Sequence, residues 1–469
     1  MADLADEGQR IAAQLRRHEI VPLKNPTKDS VWQFYVEAGR DFLEIAHELS
    51  FFCGLHSAEF IPIAAEKFKK QWEAFSGTLD GDSCAPSGSK EIVGIEQSTI
   101  GRLLCDIFFC AVNAAASDIH FESLGDGLLV RMRVDGTLRT KVRLPAEMLQ
   151  PFSILLKTLA KLDIAERLAP QDGRFGLTVA GAPIDFRISV LPTKLGESIV
   201  LRVLDRRRLF RGLDDLTMDD GVRAELRSSI GAPSGMLIVS GPTGSGKTTT
   251  LYAAIGELQR DEIKVLTIED PIEYELQNCM QASVDLPLGR TFSSVLRAFL
   301  RHDPDKIFVG EIRDGETAQI ALRAALTGHL VLTTLHTATA AEAILRLVEM
   351  GLEKSLLLSC LRGILSQRLL RLNCRHCSKE WTADGNLPEK LERLRGKTMR
   401  RGIGCKHCGG SGYAGRKAFF EFLHFGDKGG SGLESLPSEM NSLAQSGLEA
   451  VEGGEISLEE FMQQMPWNR

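Results

Sequence analysis

The sequence predicts an α/β fold: a sheet of buried parallel strands between helices, preceded by an α+β domain and a small N-terminal domain, and carrying a four-cysteine subdomain. Three observations predict it. After residue 216, apolar runs such as "MLIVS" (236–240), "VLTI" (265–268) and "HLVLTTL" (329–335) recur between helical stretches, the pattern of strands covered on both faces. Before residue 205, the strand patterns "GLLVRMRVDG" (127–136), "GRFGLTVAG" (173–181), "IDFRISVLP" (184–192) and "SIVLRVLD" (198–205) follow one another with turn residues between them. Beyond residue 373, "CRHC" (374–377) and "CKHC" (405–408) repeat one knuckle.

Length and composition set the bounds. A chain of 469 residues is too long for one ordinary core and implies three or four domains. Hydrophobic content of 43% and charged content of 25% are those of a soluble globular protein. The net charge of −6 gives no electrostatic case for nucleic acid. The acidic start "MADLADEGQR" lacks the apolar core of a signal peptide, and no run is long enough to span a bilayer. A cytoplasmic location follows. Six of the ten cysteines are scattered, and only those at 374, 377, 405 and 408 are organised.

The elements follow in order. Residues 1–75 hold the helix-like stretches "DFLEIAHELSFFCGL" and "AAEKFKKQWEAF" and are expected to form a helical, partner-binding domain. Residues 76–90, rich in Gly, Ser, Asp and Pro, form a linker. A helix from about 97 to 116 and the alternating strands make the α+β domain, 91–205. Residues 206–215 are a basic hinge, 216–373 the α/β core, 374–425 the tetracysteine subdomain with a return to the core, and 426–469 a helical tail.

The chemistry begins at "GPTGSGKTTT" (241–250), which fits G-x-x-x-x-G-K-[ST] directly after a strand and before a helix. In such a loop the backbone N–H groups of Gly241, Pro242, Thr243, Gly244, Ser245, Gly246, Lys247, Thr248 and Thr249, proline excepted, close around phosphate oxygens at a helix N-terminus. Lys247 reaches the β- and γ-phosphates, and the Thr248 hydroxyl ligates Mg²⁺. The chain is therefore expected to bind ATP.

Two apolar strands downstream end in carboxylates: Glu269, Asp270 and Glu273 after the first, Glu311 and Asp314 after the second. Ligands of parallel sheets gather at the carboxyl ends of strands, so both clusters belong beside the phosphates. Hydrolysis needs one carboxylate for the metal's water shell and another to orient the attacking water. Glu273 and Glu311 are the candidates, and the sequence does not divide the two roles between them. His329 and His336 flank a third strand, where they are expected to sense phosphate or meet a neighbouring subunit.

The spacing C-x₂-C…C-x₂-C suits four thiolates, Cys374, Cys377, Cys405 and Cys408, closing on tetrahedral Zn²⁺. A redox site would need only one pair. The site is read as a structural clip with no open catalytic position.

Taken together, "GPTGSGKTTT", "TIEDPIEY", "DPDKIFVGEIRD" and "TGHLVLTTLHT" resemble the Walker A, Asp-box, Walker B and His-box of the type II secretion and type IV pilus assembly ATPase family. "SDIHFE" (117–122), "RMRVDGTLR" (131–139), "PQDGRFGL" (170–177) and the tetracysteine pair extend the likeness. It implies a RecA-like P-loop ATPase domain behind a PAS-like α+β domain, assembled as a homo-hexamer with ATP between the two domains. Arg187 and Arg202 match the family's two arginines, which act on the transferring phosphoryl group, and Arg174 is a weaker match. The family also implies partners among the inner-membrane platform proteins of a secretion or pilus machine, and a product that is a pseudopilus or a type IV pilus. Two rival readings stand beside it: a retraction or DNA-transfer motor of the same superfamily, and a nucleotide-gated scaffold or zinc-dependent nucleic-acid-binding protein.

Overall fold

The computed structural model describes residues 21–22, 32–37, 58–64, 99–205, 212–258, 261–383, 387–425 and 443–466. They divide into two compact units, Met1–Arg207 and Arg208–Arg469.

In the first unit, strands β1 (Val21–Pro22), β2 (Trp32–Glu37) and β3 (Ala58–Ile63) form a three-stranded sheet. The expectation for residues 1–75 was helical, and the described part of that region is strand. In "WQFYVE" Trp32, Phe34 and Val36, aromatic or β-branched, recur at period two, which favours a half-buried strand; Phe34 and Val36 are fully buried. The expected helices at 41–55 and 64–75 lie outside the described residues, Ala64 excepted, as does the linker at 76–90.

The rest of this unit is the expected α+β layer pair. Helix α1 (Thr99–Asn113) precedes β4 (Asp118–Leu124), β5 (Gly127–Val134) and β6 (Thr137–Leu144). Helix α2 (Leu149–Leu159) then leads to β7 (Gln171–Val179), β8 (Ala182–Thr193) and β9 (Gly196–Asp205). The six strands form one antiparallel sheet in the order β6-β5-β4-β9-β8-β7. One face packs on both helices through Phe108, Phe121, Phe152, Phe186 and Leu201. The Phe108 and Phe186 rings stack at 4.6 Å. Burying each such ring contributes about 1.5–3 kcal/mol.

In the second unit, helix α3 (Asp220–Gly231) leads into β10 (Gly235–Ser240), α4 (Lys247–Glu257), β11 (Val265–Glu269) and β12 (Cys279–Ser283). Next come α5 (Phe292–Phe299), β13 (Lys306–Val309), α6 (Gly315–Leu326), β14 (Leu330–Leu335), α7 (Ala340–Glu349) and α8 (Lys354–Cys360). Strand β15 (Leu361–Asn373) and, after the cysteines, β18 (Tyr413–His424) complete the sheet, with β16 (Ser378–Thr382) and β17 (Thr398–Gly402) forming a hairpin between them. The order is β12-β11-β13-β14-β10-β15-β18; all neighbours run parallel except β15 and β18. Every residue of β10, β13 and β14 is buried, because one apolar cluster covers one face of the sheet and a second covers the other.

The described part of the tail forms helices α9 (Leu443–Glu452) and α10 (Leu458–Gln464), and they do not stand apart. Leu443, Val451 and Phe461 share one core with Leu370 of β15, Met399 of β17 and Phe419 of β18. Glu460, 2% exposed, accepts from the Arg371 backbone N–H (3.0 Å) and from Arg371 Nε (2.8 Å). Sewn in this way, tail and cysteine subdomain are one module.

Candidate active site

Strand β10 ends at Ser240, and the glycine-rich loop turns there into α4. The backbone conformation requires glycine at two places. Gly246 has φ +89, and a Cβ on it would lie 2.8 Å from Gln367 Nε2; Gly241 has φ +154, and its Cβ would meet Gln367 O at 2.6 Å. Lys247 Nζ donates to Gly241 O (2.7 Å) and Pro242 O (3.0 Å) and stands 3.4 Å from His336 Nδ1. Thr248, in the first turn of α4, is exposed and open to a metal. The hydroxyl of buried Ser245 has no partner, as suits a loop shaped around an absent anion. The loop thus fits a nucleoside phosphate with Mg²⁺.

Strand order explains how the remaining groups converge. β14 lies between β10 and β13, with Leu335 opposite Ser240 and Thr333 opposite Val309. His336 therefore leaves β14 beside the phosphate loop on one side and the β13 carboxylate on the other. Its Nε2 is 3.2 Å from Glu311 Oε2. Since the ammonium of Lys247 only donates, Nδ1 must be the acceptor and Nε2 carries the proton toward Glu311. Arg313 pairs with Glu311 and, at 3.1 Å, with Asp270. Lys247, His336, Glu311, Arg313 and Asp270 thus form one continuous chain of contacts.

Glu269 is enclosed by hydrogen-bond donors. It is 3% exposed and accepts hydrogen bonds from Tyr252, from Thr267 Oγ1 (2.7 Å) and from Gln281 Nε2 (3.1 Å). Burial raises its pKa against those donors. Tyr252, on α4, thereby ties the phosphate-loop helix to β11. Glu273 is half-buried on the loop after β11, where its charge acts on Glu269 and Tyr274.

His329 does not join this group. It sits at the amino end of β14, the opposite end of the strand from His336, and its Nδ1 lies 3.1 Å from Ala324 O at the close of α6. In the first unit, Arg187 and Arg202 stand directly opposite each other on β8 and β9, with Arg174 next in register on β7. They occupy the face turned away from the apolar core. Asp118 pairs with Arg202 (3.3 Å) and Arg133 (3.7 Å), and Asp172 and Asp185 stand two residues along on the same face. Like charges directly opposite across strands are destabilising, and an anion between them removes that cost.

The four cysteine sulfurs lie within 4.8 Å of one another. Their separations include Cys374–Cys405 at 3.9 Å, Cys377–Cys408 at 3.8 Å and Cys405–Cys408 at 3.7 Å. Four Zn–S bonds of about 2.3 Å in a tetrahedron place sulfurs about 3.8 Å apart, so the donor set fits zinc. Backbone N–H groups of Cys405 and Gly412 each donate to Cys408 Sγ at 3.2 Å, which favours the thiolate. Residues that sequence reasoning passed over are Tyr252, Arg313, Gln367 and Arg368. For the last two a signal existed: "SQR" interrupts the apolar run of β15.

With this geometry in place, comparison with known proteins decides the family. The profile of the family described as "Type II/IV secretion system protein" matches residues 95–463. The chain belongs to that family. A relative named type II secretion system protein E, from Dickeya dadantii, is 41% identical over 85% of this chain and 82% of its own. The type II secretion system ATPase E of Vibrio cholerae is 42% identical over 75% and 72%. Among solved structures, the pilus retraction motor PilT with bound ADP shares 29% identity at a TM-score of 0.54, over 77% of this chain and 97% of that one. The Legionella pneumophila ATPase DotB, at 22% identity and TM-score 0.57 over 77% and 95%, shares the fold.

Burial drives Lys247 down to about 8 from 10.5, and Arg368 adds to that, while Glu311 opposes it. Phosphates would restore its charge. The bound state then has the higher pKa, so nucleotide binding is favoured below about pH 8 and weakens as pH rises through that value. Calorimetry at pH 8.5 in buffers of different ionisation enthalpy should show proton uptake on ADP binding. Lys247→Arg, whose guanidinium stays charged, should abolish the uptake.

Proposed function

We infer that this chain is a cytoplasmic ATPase powering type II secretion, acting as a homo-hexamer at the inner membrane to drive pseudopilus assembly. The observation that carries the reading is the contact chain from Lys247 through His336 to Glu311 at the mouth of a phosphate loop. The relatives named type II secretion system protein E support the choice of secretion over pilus assembly. Among the described residues no helix is long and apolar enough to cross a membrane, so attachment to the membrane is assigned to platform partners, with residues 1–75 as the contacting segment.

The roles follow from position. Loop N–H groups and Lys247 would hold the phosphates, and Thr248 would hold Mg²⁺, which would supply charge neutralisation when bound. Glu311 orients the attacking water and accepts its proton; His336 reports the state of the γ-phosphate from Lys247 to Glu311. Glu273 holds the outer water shell of the metal. Arg187 and Arg202 neutralise charge on the transferring group, a contribution of about 10³–10⁵ in rate for such arginines. Zn²⁺ on Cys374, Cys377, Cys405 and Cys408 has a structural role.

Steady-state hydrolysis measured against protein concentration, with light scattering alongside, tests the assembly. Specific activity should rise as hexamers appear; constant turnover per monomer would refute a shared site. Arg187→Ala and Arg202→Ala should each lower kcat at least 10³-fold with little change in ADP affinity. An unchanged kcat in both would remove these arginines from the chemistry.

A further inference from the structure

We propose that Gln367 is a positioning residue of the nucleotide site, setting the geometry of the phosphate loop from the neighbouring strand; this deepens the ATPase reading and rests on it. β15 is buried, yet Ser366, Gln367 and Arg368, in the middle of the strand, are polar and only 0%, 3% and 5% exposed. Buried polar groups are destabilising unless bonded, so their partners show what they are for. Their side chains reach the end of β10, the phosphate loop, the first turn of α4 and the loop after His336. Ser366 Oγ lies 2.8 Å from Ser240 Oγ, at the end of β10. Arg368 Nη2 donates to Ala338 O (2.8 Å), two residues past His336, and Nη1 donates to Gln367 O (3.1 Å).

Gln367 is placed most tightly. Its Nε2 donates to Ser245 O at 2.6 Å, and its Oε1 accepts from Thr250 Oγ1 at 2.8 Å. A carbonyl oxygen can only accept, so the amide orientation is fixed. The peptide is planar and trans, with C=O and N–H on opposite sides. Holding Ser245 O on the Gln367 side therefore turns the Gly246 N–H away from β15. The Thr250 bond fixes the first turn of α4 at the same time, and with it the direction of the N–H groups of Lys247, Thr248 and Thr249. One side chain thus sets both halves of the anion-binding cradle. Glycine at 246 fits the same picture, since any Cβ would strike the amide.

The position is read by nucleotide affinity, separately from folding. Gln367→Met keeps the volume, removes both bonds and should weaken Mg·ADP binding about tenfold, as losing about 1.4 kcal/mol does. Gln367→Glu can reproduce both bonds when its carboxyl is protonated: the hydroxyl donates to Ser245 O, and the second oxygen accepts from Thr250. Its Kd divided by that of the wild type at the same pH should therefore be near one at low pH and climb as pH rises. Thr250→Val removes only the helix half and should cost less than Gln367→Met. The measurements are titrations of a fluorescent ADP analogue into the full-length chain, with melting temperatures of the nucleotide-free proteins in parallel. Melting that falls while Kd stays at the wild-type value in Gln367→Met would make the residue merely structural and overturn the proposal. A Gln367→Glu ratio that does not change with pH would overturn the clamp geometry. Absence of nucleotide binding by the wild type would instead refute the underlying ATPase reading.

Discussion

Glu311→Gln should abolish ATP turnover, by about 10²–10⁴-fold, while leaving ADP binding near the wild-type level; Lys247→Ala should lose both. The difference follows from what each group touches. Glutamine keeps the shape of Glu311 and can still meet His336 and Arg313, but it cannot take a proton from water. In the wild type one carboxylate oxygen faces His336 Nε2 at 3.2 Å and the other Arg313, so the group is held on one side by an imidazole N–H and on the other by a guanidinium. Lys247 is the buried cation that donates to Gly241 O and Pro242 O. Removing it leaves the β- and γ-phosphates without their nearest positive charge. Phosphate-release kinetics and equilibrium ADP titration on the same preparations separate the two outcomes. Normal turnover in both variants would falsify the assignment of this site.

What made these residues legible was local. A strand, a glycine-rich turn and a lysine at a helix start are consecutive in sequence, and carboxylates at the ends of "VLTI" and "KIFV" can be read from apolar runs alone. Which carboxylate His336 meets was not legible, because it depends on strand order. Only with β14 lying between β10 and β13 does His336 connect Lys247 to Glu311, while His329, which looks equivalent in sequence, is left at the other end of the strand. Glu269 shows the same limit: it reads as one more carboxylate, and only the hydroxyl of Tyr252, arriving from α4, shows that it is committed to packing. Gln367 lies 120 residues beyond Lys247, so nothing local announces that it braces the loop. In residues 1–75 the helix-like apolar spacing of the longer stretches outweighs the short period-two pattern of "WQFYVE", the one local sign of the strands there.

The second large effect is expected at the cysteines. The purified wild-type chain should carry one zinc per chain, and Cys374→Ser should lose it and lower the melting temperature by on the order of 10 °C. The size follows from how little else holds the two knuckles. Their own cluster consists of the cysteines and Ala414, with no larger apolar side chain packed among them. The backbone there runs through Gly404, Gly409, Gly410 and Gly412, all at positive φ, so the chain is free to adopt many other conformations once unfolded. Structural zinc supplies about 10–16 kcal/mol in small peptides; a third of that, at about 2–4 °C per kcal/mol for a domain of this size, gives the stated shift. The loss should also propagate. Cys374 follows directly on Asn373, whose side-chain amide donates to Arg400 O (2.9 Å) and Gly454 O (3.0 Å), joining strand, hairpin and tail. Limited proteolysis should therefore cut both the 374–412 segment and the tail helices in Cys374→Ser, while ADP binding, governed by the loop at 241–249, persists at lower temperature. Unchanged zinc content and unchanged melting in this variant would mean that the four thiols pack without a metal, and the structural role assigned to the cluster would be withdrawn.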